Sequence, residues 1–494
     1  MTNSRLVGRN FLASLLTQLL SWALTFSVTL FLPRYAGVNG MGELALAGAF
    51  VAIFAVLAPL GTSSVMIKEI ARDSSRAGEL LGASLAVRIP LATALSGIAF
   101  AATSLLGYSA ELKILILVSA IGMVIGTIND ALGAVLQGME NLTRQGIGVL
   151  ADKLLLGILT ILLIVLKQPL WTIAATGIVT ATVSCAVNLF SLRAILPTLL
   201  RRPALSSSYR LVAMGVPFIG LSLFTTLYGQ SDALILSLVS NSQTVGWYAI
   251  ALRLVGTTMF LPVAINAALI PTLSRLYVSD KEQFVSTATR ILVLIAVCGV
   301  PVASILLFSA PAIIQLLHYP AEFNGSIPVL RVGGAAALAY YFTIFMGAVI
   351  TASDRQAQML PIFAKSCLIG IPGCFLFSYL CDRYLQNGAF GAILSHVLME
   401  IYVFTFLFRI LSDVFSFRFL LRLMGRLLIA VTPMGALLLW LTSSRSPITP
   451  IVGLWAIVPG VLLYIMGCIL LRCVNGNEFM TLLRGVMSRR TPAL

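Results

Sequence analysis

Charge is what this sequence has least of. Only 10% of its 494 residues are Asp, Glu, Lys or Arg and only two are histidine, where a water-soluble domain carries about a quarter charged residues. With 59% hydrophobic residues and a mean hydropathy of +1.01, water is excluded as its main solvent. Cysteine is sparse too. The seven thiols (Cys185, Cys298, Cys367, Cys374, Cys381, Cys468 and Cys473) form no CxxC pair and mostly lie inside apolar runs, which excludes a disulfide framework and leaves no metal site to expect. The chain has no Walker motif, no GxSxG, no HExxH and no dinucleotide fingerprint, so no catalytic residue and no ATP hydrolysis are expected. The formal charge of +15 is spread as single residues between apolar segments and never clusters beside exposed aromatics, which argues against nucleic acid as a partner.

What is present is one apolar run after another, each near the roughly 20 residues needed to cross about 30 Å of hydrocarbon. Charged, Pro and Gly-rich breaks place spans near 11–32, 44–67, 80–106, 113–136, 148–166, 170–191, 211–239, 245–271, 289–310, 327–350, 358–380, 388–408, 420–441 and 449–471. The first is too long for a signal-peptide core and lacks a small-residue cleavage site, so it reads as a retained helix. The fold expected is all-α, with about fourteen transmembrane helices. The organisation expected is an N-lobe over 1–192, a cytoplasmic connector over 193–210, a C-lobe over 211–411, and two further helices with a cytoplasmic tail over 412–494.

The distribution of Lys and Arg tests the span count. With the N-terminus inside, roughly 22 basic residues fall on the cytoplasmic side, against about five (Arg34, Lys113, Lys167, Arg383 and Arg445) outside. A wrong count would scramble that alternation. Both termini are therefore expected in the cytoplasm of a multi-pass protein of the bacterial inner membrane. The outer loops are short, the longest lying around His318 to Pro328. No loop is large enough to fold as the catalytic domain that a membrane glycosyltransferase or polysaccharide polymerase needs.

An internal repeat underlies the arrangement. Gly42-Glu43-Leu44-Ala45-Leu46-Ala47-Gly48-Ala49-Phe50-Val51 opens the second span and Gly246-Trp247-Tyr248-Ala249-Ile250-Ala251-Leu252-Arg253-Leu254-Val255 opens the eighth, with Gly, Ala, Ala and Val in register. Shared membrane composition would produce some of this. An offset of six spans leaves the two copies in the same orientation, which implies a parallel repeat about an axis along the membrane normal, made of two six-helix lobes.

The stretch Tyr228-Gly229-Gln230-Ser231-Asp232-Ala233-Leu234-Ile235-Leu236-Ser237, continuing through Thr244-Val245-Gly246-Trp247-Tyr248 to Arg253-Leu254, resembles the middle signature of polysaccharide biosynthesis proteins. These are the Wzx-type lipid-linked oligosaccharide flippases of the multidrug/oligosaccharidyl-lipid/polysaccharide (MOP) exporter superfamily. Pro33-Arg34-Tyr35-Ala36-Gly37 leading to Gly42-Glu43-Leu44, and Leu136-Gln137-Gly138-Met139-Glu140-Asn141, agree with it. The resemblance covers essentially the whole chain. It implies a V-shaped pair of lobes, alternating access, and an undecaprenyl pyrophosphate-linked glycan as substrate. It also implies an H⁺ or Na⁺ gradient as motor with no bound cofactor, and membrane lipid, a polysaccharide polymerase and chain-length machinery as neighbours. A small-molecule antiporter of the same superfamily is the alternative. Only Asp232 and Arg253 carry over from the family as residues.

Ionisable groups inside the hydrocarbon cost at least about 2.5–3.5 kcal/mol each, so those present require a partner, water or a role. Asp232 and Arg253 flank the outer loop at Asn241-Ser242 and sit roughly 15 Å deep on adjacent helices. They read either as a hairpin salt bridge or, with Gln230, as a cavity group for substrate or ion. Arg88, eight residues into the third span, either snorkels to the interface or joins Arg253 in attracting an anionic headgroup, for which the planar guanidinium fork is suited. His396 and Glu400 lie one turn apart on one face of the twelfth span and, with Asp232, are candidates for ion coupling. Mutual hydrogen bonding is the alternative. Gln18, Asn129, Asp130 and Asn266 are expected to bond between helices, and Pro59, Pro217, Pro262, Pro301, Pro372 and Pro433 to kink helices.

Overall fold

A computed structural model of the chain describes residues 2–193, 205–443 and 450–473, with the side chains of 2–24, 142, 205–206, 217, 267–269, 271, 442–443 and 450–456 outside the description. The helices are α1 (Thr2–Ala55), α2 (Thr62–Arg72), α3 (Ala77–Leu105), α4 (Ala110–Gly138), α5 (Leu142–Val165), α6 (Leu170–Ser191), α7 (Leu205–Val239), α8 (Ser242–Thr258) and α9 (Phe260–Ser279). After these come α10 (Lys281–Leu316), α11 (Ser326–Ala352), α12 (Met359–Leu385), α13 (Gly388–Ile410), α14 (Phe417–Ser443) and α15 (Pro450–Leu470). No strand occurs among the described residues.

In hydrocarbon every backbone polar group must be satisfied within its own segment, which is why apolar runs of this length become helices. Eleven helices of the described residues are long and apolar enough to cross a membrane, or twelve when the bent α7 is counted as one. Fourteen spans are expected from the sequence; among the described residues Ile457–Leu470 is a further, shorter apolar helix. The helix ends follow local chemistry. Ser109 Oγ accepts from Leu112 N, Asn141 Oδ1 from Arg144 N and Asp280 Oδ1 from Gln283 N, capping α4, α5 and α10. Glu140, Lys167, His318, Asp354, Gln386 and Arg472 take left-handed backbone just beyond helix ends, where the chain turns without help from glycine.

The expected spans are interrupted more than a plain hydropathy reading allows. The first and second form one continuous element, broken at Gly37 (φ 66°, ψ 177°). The second is then cut by turns at 56–61, with Leu60 and Gly61 at positive φ, before the amphipathic α2 begins. The eighth is cut at Met259, between α8 and α9. In α7 the segments Ser207–Val216 and Phe218–Val239 meet at 55°. Pro59 lies in the break at 56–61, Pro262 just after that at Met259 and Pro217 at the bend of α7. Pro301, Pro372 and Pro433 sit inside continuous helices.

The chain divides into two compact units. One comprises Met1–Arg253, Pro320–Gly325 and Met359–Ser395. The other comprises Leu254–Tyr319, Ser326–Gln358 and His396–Leu494. The first unit thus takes α7, most of α8 and α12 in addition to α1–α6, and the expected connector over 193–210 falls mainly on residues outside the description. Within this unit, two of the places where backbone meets backbone and only glycine fits bear on the interrupted spans and the repeat. A Cβ on Gly61 would come 2.2 Å from Gly215 O, and one on Gly215 2.2 Å from Leu60 O, so the broken second span lies directly on α7 at its bend. A Cβ on Gly42 would come 1.9 Å from Ser242 O, and one on Gly246 2.0 Å from Val38 O. Ser242 stands four residues before Gly246, as Val38 stands four before Gly42. The two copies of the repeat therefore cross each other reciprocally, in the register read from the sequence. The apolar core beside Arg88 is formed by Met66, Ile70, Leu80, Leu81, Leu132 and Val135 with their neighbours.

Candidate functional site

Three buried polar clusters hold the candidate site residues read from the sequence. The first centres on Arg88, whose side chain is 0% exposed. Its Nε and Nη2 donate to Thr62 Oγ1 (2.9 and 2.8 Å), Nη2 also to Ser63 Oγ (2.6 Å), and Nη1 to Asp130 Oδ2 (2.8 Å) and to Thr127 O (3.4 Å). The guanidinium neither snorkels nor offers an open fork. All five N–H groups are engaged by α2, the first residues after the helix break, and by α4. Ser63 Oγ donates in turn to Asp130 Oδ2 (2.6 Å), and Thr62 Oγ1 lies 3.2 Å from Ser84 Oγ. The Asp130 carboxylate is the exposed member of the cluster, at 51% of its side chain. Arg88 and Ser63 hold it at the surface of the unit, beside the N-terminus of α2, whose dipole also favours a negative group there.

The second cluster lies between α7, α8, α1 and α12. Asp232, 2% exposed, accepts from the Tyr248 hydroxyl at 2.5 Å, and the Cys367 and Cys374 thiols of α12 lie in its electrostatic reach. Arg253, half-buried, donates from Nε to Thr29 Oγ1 at 2.8 Å, and Thr29 donates to Thr25 O. The hairpin thus brings Asp232 and Arg253 into one unit. Gln230 sits half-buried two residues before Asp232.

The third cluster belongs to the other unit. His396 and Glu400, each 1% exposed, face α11 from one side of α13. The Tyr340 hydroxyl bonds His396 Nε2, and Thr343 Oγ1 donates to Glu400 Oε2 at 3.2 Å. Two rungs, one helical turn apart, therefore link α11 to α13. The histidine has a phenol as partner and the carboxylate a threonine.

Of the other polar residues, Asn129 Nδ2 donates to Ser184 Oγ while its Oδ1 accepts from Asn188, and Asn266 Nδ2 donates to Ile344 O, interhelical bonds of the expected kind. Asp130 also bonds between helices, yet its place as the exposed end of a buried cation was missed. The signal was available: a threonine-serine pair following Pro59 and Gly61 marks a helix restart, and a restart inside a span needs a polar partner. The side chains of Arg5, Arg9 and Gln18 are outside the description, and the connector residues Arg201 and Arg202, Arg445, and the tail arginines Arg484, Arg489 and Arg490 lie outside the described residues. Beyond the spans, Arg355 on the α11–α12 connection makes a bidentate pair with Asp413 (2.8 and 2.6 Å) and donates to Ile410 O. That pair holds the Asp413 carboxyl below the usual carboxylate range.

A bundle of apolar helices with interrupted spans, a reciprocal repeat and buried ionisable clusters is that of a multi-pass membrane protein. Comparison with known proteins specifies which. The chain belongs to the family of polysaccharide biosynthesis proteins, whose sequence model matches residues 7–277, and a second family model, MatE, matches 217–376. No curated protein sequence matches it. Among solved structures, the lipid II flippase MurJ in an inward closed conformation superposes with a TM-score of 0.68 at 15% identity, covering 96% of this chain and 99% of that one. A multidrug-resistance MATE transporter of the MOP superfamily in an inward-facing conformation gives 0.64 at 16%, covering 80% and 95%. A MATE transporter of Vibrio cholerae gives 0.54 at 14%, covering 83% and 98%. The fold is that of these MurJ and MATE structures.

Proposed function

We propose that this protein is a flippase that carries an undecaprenyl pyrophosphate-linked oligosaccharide, such as an O-antigen, exopolysaccharide or capsule repeat unit, from the cytoplasmic to the periplasmic leaflet of the bacterial inner membrane. It is a transporter and not an enzyme. The observation that carries this reading is coverage. The MurJ fold accounts for 96% of the chain and the two MATE folds for 80% and 83%, and the family that matches more than half of the sequence is defined by polysaccharide biosynthesis.

The physical task is to take a pyrophosphate and a hydrophilic glycan through about 30 Å of hydrocarbon while the polyprenyl tail stays in lipid. Bare transfer of such charge is prohibitive, so a polar route with fixed cations is required, opened to each side in turn. In this reading Arg253 is the half-buried guanidinium that meets the anionic headgroup, with Gln230 and Asp232 beside it. Arg88 serves from behind, fixing the Asp130 carboxylate and the restart of α2. His396 and Glu400, with Asp232, are the groups through which an H⁺ or Na⁺ gradient drives the cycle. Both termini face the cytoplasm, and the polymerase and chain-length machinery act on the product.

The alternative is an ion-coupled antiporter of small molecules, favoured by the MatE match over 217–376. Purified protein in liposomes separates the two. A fluorescent undecaprenyl pyrophosphate-linked glycan loaded in the inner leaflet should become accessible to an external glycan-modifying reagent at a rate set by protein content, faster under an imposed gradient, with Glu400→Gln losing the gradient effect. Glycan that stays protected, together with gradient-driven exchange of a lipophilic cation, would establish the antiporter.

A further inference from the structure

The connection between α10 and α11 is a short 3-10 segment, Ala321–Gly325. Although both flanking helices belong to the second unit, Pro320–Gly325 belongs to the first. It is pinned there by four contacts. Glu322 Oε1 accepts from Val38 N at 2.8 Å, and Glu322 O accepts from Trp247 Nε1 at 2.7 Å. Gly325 lies so close to the Trp247 ring that a Cβ would come 2.2 Å from Cε2. Gly325 O accepts from Asn387 Nδ2 at 3.0 Å, and Phe323 is completely buried.

The segment touches the residues that form the reciprocal crossing. Val38 supplies the carbonyl that Gly246 packs against, and Trp247 follows Gly246. Gly37 breaks the helix, so the amide of Val38 belongs to the first turn of a new helical arm, where N–H groups look for acceptors outside the helix. The Glu322 carboxylate, on an otherwise exposed residue, fills that place. A charge-assisted bond of this kind is among the stronger polar contacts available, and here it joins the start of one repeat copy to a strap that also holds the start of the other.

We infer that Pro320–Gly325 is a latch, locked through Glu322, which holds the Gly42–Gly246 crossing closed and must release before this end of the first unit can open. The inference rests on the transport reading, since only a transporter needs the crossing to part. It predicts that the crossing is a two-state element biased by one side chain.

The test reads opening without substrate, so that it stands or falls separately from the glycan assignment. Met41, 3% exposed beneath the crossing, is replaced by cysteine, and its labelling by a membrane-impermeant maleimide is followed in native membranes against the same protein without the replacement. With Glu322 intact, labelling should be slow. Glu322→Ala should speed it about tenfold, as expected for loss of a hydrogen bond to a charged group. Glu322→Gln, which keeps an acceptor but not the charge, should fall between. Trp247→Phe, which removes the second donor and keeps the ring on Gly325, should also speed it. Labelling at the native rate in both Glu322→Ala and Trp247→Phe would overturn the latch while leaving the flippase reading untouched. The expected order of rates, together with an absence of glycan flipping in liposomes, would retain the latch and discard that reading.

Discussion

Arg88 and Asp130 show how unevenly a buried ion pair is shared. The arginine has no exposed surface and the aspartate about half, so the two halves of the pair are not equivalent on removal. Losing Arg88 leaves Asp130 able to hydrate. Losing Asp130 leaves a guanidinium buried among neutral oxygens, the situation in which breaking a pair costs about 3–5 kcal/mol. Asp130→Ala should therefore lower the unfolding temperature in detergent more than Arg88→Gln does, and a double replacement by leucine should be milder than Asp130→Ala alone. Equal losses from the two single variants would mean that the aspartate contributes no more than the hydroxyls of Thr62 and Ser63.

The pair at Arg355 and Asp413 behaves differently, because both residues reach solvent. Its hydrogen bond from Arg355 is the main reason the Asp413 carboxyl sits low. A carboxyl lowered on folding adds stability that is complete above the unfolded value of about 3.9 and is lost as pH falls through the folded one. Asp413→Asn should thus lower stability by at most about 1 kcal/mol at neutral pH and remove that residue's share of the acid sensitivity, leaving the profile above about pH 5 parallel to the native one. Thermal unfolding across pH 3–8 measures both. Of these residues, Arg88, Asp232, Arg253, His396 and Glu400 were legible in the sequence because charge in an apolar run is conspicuous. Their partners were not, since Thr62, Thr343 and Tyr248 are ordinary membrane-helix residues until packing brings them alongside.

At the scale of elements, the spans were legible and their interruptions were not. Hydropathy averages over a window and passes smoothly through 56–61, where the chain leaves the helix at Leu60 and Gly61. What forces the break visible here is packing: Gly61 and Gly215 meet through their backbones. Gly61→Ala would place a Cβ against Gly215 O on a residue already at φ +67°, a strain of about 1–3 kcal/mol before any clash is counted. The variant should be clearly destabilised, with α2 and the Arg88 cluster displaced together. Amide exchange over residues 62–72 should rise in Gly61→Ala and stay unchanged in Gly48→Ala, which has open space for a Cβ. The same close approach explains why the first compact unit gathers α7 with α1–α4, whereas a division by sequence order places α7 in a later lobe. The repeat, by contrast, was visible as Gly42 and Gly246 because a contact that only glycine permits leaves a trace in sequence at both copies.

At the scale of the whole molecule, the charge alternation read from the sequence, the succession of apolar spans and the polysaccharide biosynthesis match over 7–277 belong to one account, the proposal that a chain too apolar for water carries a substrate too polar for lipid. The cargo itself leaves no trace in composition, because a route for a pyrophosphate needs only a few cations and many hydroxyls, and these occur in antiporters as well. The measurement that bears most directly on the account is leaflet-resolved labelling of undecaprenyl-linked glycan in cells lacking this protein, complemented with the native chain or with Arg253→Ala. The account predicts that glycan accumulates on the cytoplasmic face without the protein, that the native chain restores its periplasmic appearance, and that Arg253→Ala at normal membrane levels fails to do so. Glycan that reaches the periplasmic face at its usual rate in the absence of the protein would contradict it.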